Sequence, residues 1–116
     1  MKKLTTLIII TFLIISTQHV LAQNANKTET IVIKVSTQCE QCKARLEKAM
    51  AYEKGITSSN LNIDKAELTV TYKPTKTSPE KIRLAISEVG YDADDVKANE
   101  KAYNNLPTCC QKGGHK

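Results

Sequence analysis

Two cysteines separated by two residues, Cys39 and Cys42, are the side chains of this 116-residue chain best suited to do chemistry. If they lie in the first turn of a helix they share one face, with β-carbons about 5 to 6 Å apart. Paired thiolates bind soft or borderline ions, chiefly Cu(I) and Zn(II), and by the same argument Hg(II). Two sulfurs alone suit linear Cu(I) or Hg(II), because a structural zinc site takes four ligands. The pair therefore predicts a soft-metal site with Cys39 and Cys42 as ligands.

The same spacing also suits two kinds of disulfide chemistry. A Cys-x-x-Cys pair at a helix start is the layout of thiol–disulfide exchange proteins, and an inert disulfide is a third alternative. The sequence lacks a Trp-Cys-Gly-Pro-Cys type of redox site, and it has no Ser/His/Asp set, carboxylate pair or glycine-rich phosphate loop. Metal carriage without catalysis is the favoured interpretation, and a small thiol–disulfide exchange protein is the alternative.

A second cysteine pair, Cys109 and Cys110, lies near the carboxyl end. One interpretation is an exposed tail without a role, and His115 behind it is then a solvated terminal residue. The other interpretation is geometric. A short helix over residues 98–106 spans roughly 13 Å and three extended residues add about 10 Å, against about 20 Å needed to return to the site. Cys109 and Cys110 could then add a third or fourth thiolate, which would tighten binding of Cu(I), Hg(II) or Zn(II).

The first 22 residues have the three-part layout of a secretory signal. Lys2 and Lys3 make the start basic, residues 4–15 are apolar apart from three threonines, and small or aliphatic residues precede a cut after Ala22. The apolar run is shorter than the roughly 20 residues of a membrane-spanning helix, and no cysteine near the cut could carry a lipid. We therefore expect an exported protein, periplasmic or else secreted, with no membrane anchor after signal cleavage and a disordered leader over residues 23–29.

Length and charge indicate a single small domain and argue against a nucleic-acid-binding protein. Cleavage would leave 94 residues, enough for one small domain, and a formal charge of +3, because two of the 17 basic residues leave with the signal. Lysines are evenly spread and aromatic residues are few, so the sequence offers neither a phosphate-tracking groove nor a base-stacking platform. We expect a monomer that does not bind nucleic acid.

The elements that must position the cysteines follow from residue periodicity and from helix start and stop signals. Five segments carry such patterns: a strand over residues 31–35, a helix over 40–53, a hairpin over 56–72, a helix over 78–90 and an edge strand over 91–96. The order βαββαβ predicts a ferredoxin-like α+β sandwich, in which a four-stranded antiparallel sheet carries both helices on one face. The short helix over residues 98–106 follows it.

The residues around the pair resemble the heavy-metal-associated domain family. The resemblance rests on Cys39-Glu-Gln-Cys42 with the helix that follows, on Gly55-Ile56 and on Gly90-Tyr91, and the domain spans residues 30–97. It implies that Cys39 and Cys42 hold the ion in an exposed loop and pass it to a partner by thiolate exchange. With a signal in front, the layout resembles exported mercuric-ion and copper-binding members.

The chain departs from the family pattern before the first cysteine. Ser36 and Thr37 stand where the family has glycine and a core methionine, whereas Tyr91 is aromatic, as in pump domains and mercury scavengers. We expect an exported metallochaperone or scavenger, with Cu(I) as the leading ion and Hg(II) or Zn(II) as alternatives. The expected partner is a metal-transporting membrane protein or another metal-binding domain.

Overall fold

The computed structural model describes residues 26–37 and 39–113 of the chain. The predicted signal, the first residues of the predicted leader and His115 lie outside the described residues. Among the helices of the described part, none has both the length and the apolar character needed to cross a bilayer.

Three strands form one antiparallel sheet, in the order β1–β3–β2. The strands are β1 (Glu29–Lys34), β2 (Ile56–Asn62) and β3 (Glu67–Tyr72). Side chains alternate between the two faces of a strand, so the register that opposes Ile33 and Leu61 to Leu68 places all three on the same face. These three side chains are buried, whereas Val32 on the opposite face is 55 % exposed. The core therefore lies on one side of the sheet.

Two helices cover that buried face, α1 (Glu40–Tyr52) and α2 (Pro79–Val89). Their buried apolar residues recur at helical spacing, and they are Cys42, Leu46 and Met50 on α1 with Ile82, Ala85 and Ile86 on α2. The start of α2 is fixed locally, because the Ser78 side chain accepts a hydrogen bond from the backbone N–H of Lys81 at 3.3 Å and Pro79 follows it. The predicted α+β arrangement of two helices on an antiparallel sheet is confirmed.

The predicted fourth strand over residues 91–96 is wrong, because this segment forms a tight turn instead. Ala93 makes one antiparallel bridge to Val35 and then pairs with Val96. The cause is Asp94, which has a positive φ of 52° and whose Oδ1 accepts a hydrogen bond from the backbone N–H of Lys34 at 2.9 Å. Aspartate side chains compete in this way with backbone ladders. The described sheet consequently has three strands.

Substitution of Asp94 by asparagine should cost about 0.5 to 1 kcal/mol of stability near neutral pH. Partial burial acts to raise the pKa of the Asp94 carboxyl, but the Arg83 guanidinium at 2.8 Å and the Lys34 N–H outweigh it and hold that pKa below its ordinary value. A carboxyl whose pKa folding depresses stabilises the protein above about pH 4, and this contribution disappears as the pH falls through the folded-state pKa. The expected cost is small, because the Asp94 side chain is 31 % exposed and solvent screens the ion pair.

Urea unfolding of the wild type and Asp94→Asn, near pH 7 and near pH 3, measures this difference. Asparagine tolerates a positive φ, so the variant changes mainly the charge. The matched control is Asp64→Asn, at an exposed position between β2 and β3 that takes part in none of the described ion pairs. We expect the gap between wild type and Asp94→Asn to close at low pH, and a gap of unchanged size there would exclude the carboxylate charge as its cause.

The C-terminal segment, residues 97–113, packs back onto the domain. It contains a short helix α3 (Glu100–Asn104) and a single 3-10 turn (Thr108–Cys110). The helix is shorter than the predicted 98–106, because Asn99 begins it by accepting a hydrogen bond from the backbone N–H of Ala102 at 3.0 Å. Leu106 is 6 % exposed and belongs to the main core. The segment is thus part of the folded unit.

Candidate metal centre

The Cys39–Cys42 pair lies between β1 and α1. Cys39 is the N-cap residue of α1 with an extended backbone, and its carbonyl accepts a hydrogen bond from the backbone N–H of Lys43 at 3.1 Å. Cys42 lies in the first turn, which brings the two Sγ atoms to 3.2 Å. Cys42 is fully buried and Cys39 is partly exposed, and both are free thiols. The pair therefore has one sulfur fixed in the core and one that solvent can reach.

Ser36 and Thr37, the loop residues that differ from the family pattern, differ in whether their hydroxyls form hydrogen bonds. Ser36 Oγ accepts a hydrogen bond from the backbone N–H of Asp92 at 2.9 Å, which joins the loop to the segment after α2. Thr37 is 6 % exposed, but its Oγ1 has no hydrogen-bond partner among the described residues. A buried hydroxyl without a partner costs about 1 to 3 kcal/mol. Thr37 therefore fills a buried position less favourably than an apolar side chain would.

Cys110 joins the pair from the C-terminal segment. The Sγ atoms of Cys39, Cys42 and Cys110 all lie within 4.8 Å of one another, and we call these three atoms the sulfur cluster. Cys110 is 2 % exposed, so the interpretation of both C-terminal cysteines as an exposed tail is wrong for this residue. The position of Cys110 agrees with the other interpretation, in which the C-terminal segment returns to the Cys39–Cys42 pair.

Cys109 lies at the rim of the site, outside the sulfur cluster. Its side chain is partly exposed, and its Sγ donates a hydrogen bond to Gln41 Oε1 at 2.6 Å. Cys109 Sγ lies 3.9 Å from Cys110 Sγ, but it does not belong to the group of sulfurs that all lie within 4.8 Å of one another. Of the four cysteines that the sequence singles out, three converge and the fourth faces the surface of α1.

Tyr91 completes the lining of the sulfur cluster. Its side chain is fully buried, and burial raises the pKa of its hydroxyl, as do the neighbouring thiols of Cys110 and Cys42. The hydroxyl lies beside those sulfurs, yet it makes no hydrogen bond of ordinary geometry within the described residues. Tyr91 is therefore a core residue whose buried hydroxyl lies near the sulfurs of Cys42 and Cys110.

Sequence reasoning missed the contacts that hold the C-terminal segment against the site. Asp92 makes two of them: its Oδ1 accepts a hydrogen bond from the Ala98 N–H at 2.8 Å, and its Oδ2 pairs with Lys112 Nζ at 2.7 Å. The Lys112 ammonium and the Ala98 N–H hold the pKa of the Asp92 carboxyl below its ordinary value. The helical spacing of Ala98, Ala102 and Leu106 was a local signal for packing, but an ion pair between residues 92 and 112 has none.

The donor set of the cluster decides which ions it suits. Its three possible ligand atoms are sulfurs, and no carboxylate or imidazole belongs to this group within the described part of the chain. Soft thiolates select ions such as Cu(I), whereas carboxylate and carbonyl oxygens suit Mg²⁺ and Ca²⁺. The arrangement can bind a soft cation.

Comparison with known proteins agrees with this chemistry. The family model of the heavy-metal-associated domain matches residues 31–92. The copper chaperone CopZ of Staphylococcus epidermidis is 34 % identical over 65 residues, which are 56 % of this chain and 96 % of that protein. A copper-exporting P-type ATPase of the same organism is 30 % identical over 67 residues, 58 % of this chain but 8 % of the ATPase.

A solved structure extends the similarity to three dimensions. Oxidised MerP from Ralstonia metallidurans has a TM-score of 0.56 and 25 % identity, and the match covers 59 % of this chain and 96 % of MerP. The family-model match includes the Cys39–Cys42 pair and the whole of α1, since both lie within residues 31–92. On these grounds the chain belongs to the heavy-metal-associated domain family.

Proposed function

We propose that this protein is an exported, non-enzymatic carrier of a soft metal ion, with Cu(I) as its leading cargo and Cys39 and Cys42 as its ligands. The observation that carries the proposal is the geometry of the pair, because two free thiols lie 3.2 Å apart at the start of α1. Membership of a metal-binding family and similarity to a copper chaperone support the same conclusion. Hg(II) is the second candidate, because it is also a soft ion that thiolate ligands favour.

Unequal exposure of the two sulfurs suits transfer by ligand exchange. A partner's thiolate can reach an ion bound at the partly exposed Cys39, while the fully buried Cys42 keeps the ion in place during the exchange. The proposed partner is a metal-transporting membrane protein or another metal-binding domain. The similarity to part of a copper-exporting ATPase supports this choice, because the ATPase contains a domain like this one.

Export would expose the two cysteines to oxidation. Residues 1–22 have the layout of a secretory signal, and an oxidising compartment could join Cys39 to Cys42 as a disulfide. Thiols 3.2 Å apart need little movement to form that bond. The same proximity supports the alternative function, a small thiol–disulfide exchange protein, and a bound soft ion would protect the pair against oxidation.

Titration of the reduced protein with Cu(I), Hg(II) and Zn(II), each against a chromophoric chelator, tests the proposal. We expect one Cu(I) per chain, held at least about a hundredfold more tightly than Zn(II), because the site has fewer sulfurs than a structural zinc centre. Turnover of a disulfide substrate by the same preparation is the control for the alternative. Failure to retain any of the three ions, together with turnover, would reject metal carriage in favour of exchange.

A further inference from the structure

The C-terminal segment is held in place before it reaches Cys110. Leu106 is buried in the main core, and the Asn99 N–H donates to the Ser87 carbonyl at 2.9 Å. Ser87 Oγ in turn donates to the Lys97 carbonyl at 2.6 Å. Where α3 passes the end of α2, a β-carbon on Gly90 would lie 3.1 Å from the backbone of Ala102. The segment therefore packs against α2 at backbone distance.

The segment is also held after Cys110. Gln111 Nε2 donates to the Leu106 carbonyl at 3.1 Å, and the Lys112 N–H donates to Tyr103 Oη at 2.9 Å. The Lys112–Asp92 ion pair joins the same stretch to the segment after α2. Anchors on both sides fix the 3-10 turn, so the position of the Cys110 sulfur does not depend on a flexible end.

A buried free cysteine is often only a small apolar side chain, and two observations argue against that role for Cys110. Its sulfur lies with those of Cys39 and Cys42 within 4.8 Å, which core packing alone does not require. The fully buried Tyr91 hydroxyl lies beside it without a hydrogen-bond partner of ordinary geometry in the described residues. A metal-bound thiolate accepts such a hydrogen bond and would remove the cost of the unpaired hydroxyl.

We infer that Cys110 is the third metal ligand, so that the C-terminal segment turns a two-sulfur loop into an enclosed three-sulfur site. This inference rests on the proposed function and adds to it a ligand outside residues 31–92, the part of the chain that the family model matches. Cys109 is not a ligand, because its sulfur points to Gln41 at the rim.

The separation of the sulfurs suits three ligands better than two. Metal–sulfur bonds of about 2.3 Å, the length in zinc thiolates, place linear sulfurs about 4.6 Å apart and trigonal sulfurs about 4 Å apart. Cys39 and Cys42 are 3.2 Å apart, so a trigonal ion needs the smaller rearrangement. Cu(I) and Hg(II) are soft ions for which a third thiolate would tighten binding.

Enclosure also changes how the ion leaves. Cys42 and Cys110 are buried, and the Cys109 carbonyl oxygen lies 3.8 Å from Cys39 Sγ on the exposed side. An incoming thiolate must displace the C-terminal segment or compete with three sulfurs at once. A partner's thiolate can still attack at the partly exposed Cys39, but the third sulfur slows release of the ion relative to a two-sulfur site.

Substitution of Cys110 by serine in the full chain tests the inference. We expect Cu(I) affinity, measured by chelator competition after anaerobic removal of reductant, to fall at least about tenfold, because loss of even an indirect ligand contact typically costs 10- to 100-fold. X-ray absorption of the Cu(I) protein should count three sulfurs in the wild type and two in Cys110→Ser. Cys109→Ser is the matched control, and it should keep three sulfurs and wild-type affinity.

Other results of these measurements would contradict the third ligand, the proposed function, or both. Two sulfurs around Cu(I) in the wild type, or unchanged affinity in Cys110→Ser, overturn the third ligand while leaving the proposed function intact. A wild type that retains no soft ion overturns both. If Cys110→Ser does not fold, Cys110→Ala replaces it, and the wild-type sulfur count decides the matter without any variant.

Discussion

Replacement of both Cys39 and Cys42 by serine should abolish soft-ion binding, and the retained Cu(I) should fall from one ion per chain to none. The double variant leaves Cys110 as the single thiol in the cluster, and one thiolate holds Cu(I) too weakly to retain it during gel filtration. Serine is a hard oxygen ligand that does not replace a thiolate for Cu(I). Metal analysis after gel filtration, together with chelator competition, measures the loss. No other substitution discussed above is expected to weaken binding as much.

Two comparisons show whether a loss of binding comes from the ligands. The double variant should unfold in urea with cooperativity like that of the wild type, although serine at the fully buried position 42 will lower its stability. The Cys109→Ser protein should retain metal, since its sulfur lies outside the cluster. Retention of a full complement of Cu(I) by Cys39→Ser/Cys42→Ser would contradict the proposed site.

Substitution of Gly90 by alanine should destabilise the protein by about 2 to 4 kcal/mol, the largest stability effect expected here. Gly90 ends α2 with a φ of 116°, a conformation that side chains disfavour. A β-carbon there would also lie 3.1 Å from the Ala102 carbonyl oxygen and from Leu106 Cδ1. Backbone strain and the close contacts of the added β-carbon both destabilise the variant. The close contacts are with Ala102 and Leu106, which belong to the C-terminal segment. We therefore expect weaker Cu(I) binding as well.

Gly113→Ala is the matched control for this variant. Gly113 also has a positive φ, of 78°, but a β-carbon there would meet nothing within 4 Å. Backbone strain alone costs about 1 to 2 kcal/mol in a packed element, and less near a chain end. Urea unfolding and Cu(I) competition on both variants separate strain from packing. Equal losses in the two proteins would show that the close approach of α3 to Gly90 does not matter.

Most elements of the fold follow from interactions within one turn or one hairpin. Ser78 and Pro79 begin α2 and Gly90 ends it, and each acts on its immediate neighbours. Alternation along β3 buries Leu68 and Val70 on one face, as its sequence predicts.

The prediction of a strand over residues 91–96 is wrong because the conformation of this segment depends on residues that are distant in the sequence. Asp94 takes its partners from Lys34 and Arg83, and no local pattern shows that they are near.

The spacing of Cys39 and Cys42 was enough to predict that their thiols meet at the start of a helix in a small α+β domain. Helical spacing alone ensures that, because it acts over three residues. The places of Cys110 in the sulfur cluster and of Cys109 at its rim depend instead on contacts between distant segments. The orientation of the 3-10 turn depends on the burial of Leu106 and on an ion pair between residues 92 and 112. Such contacts join distant parts of the chain, so their energies are realised only when the whole domain packs.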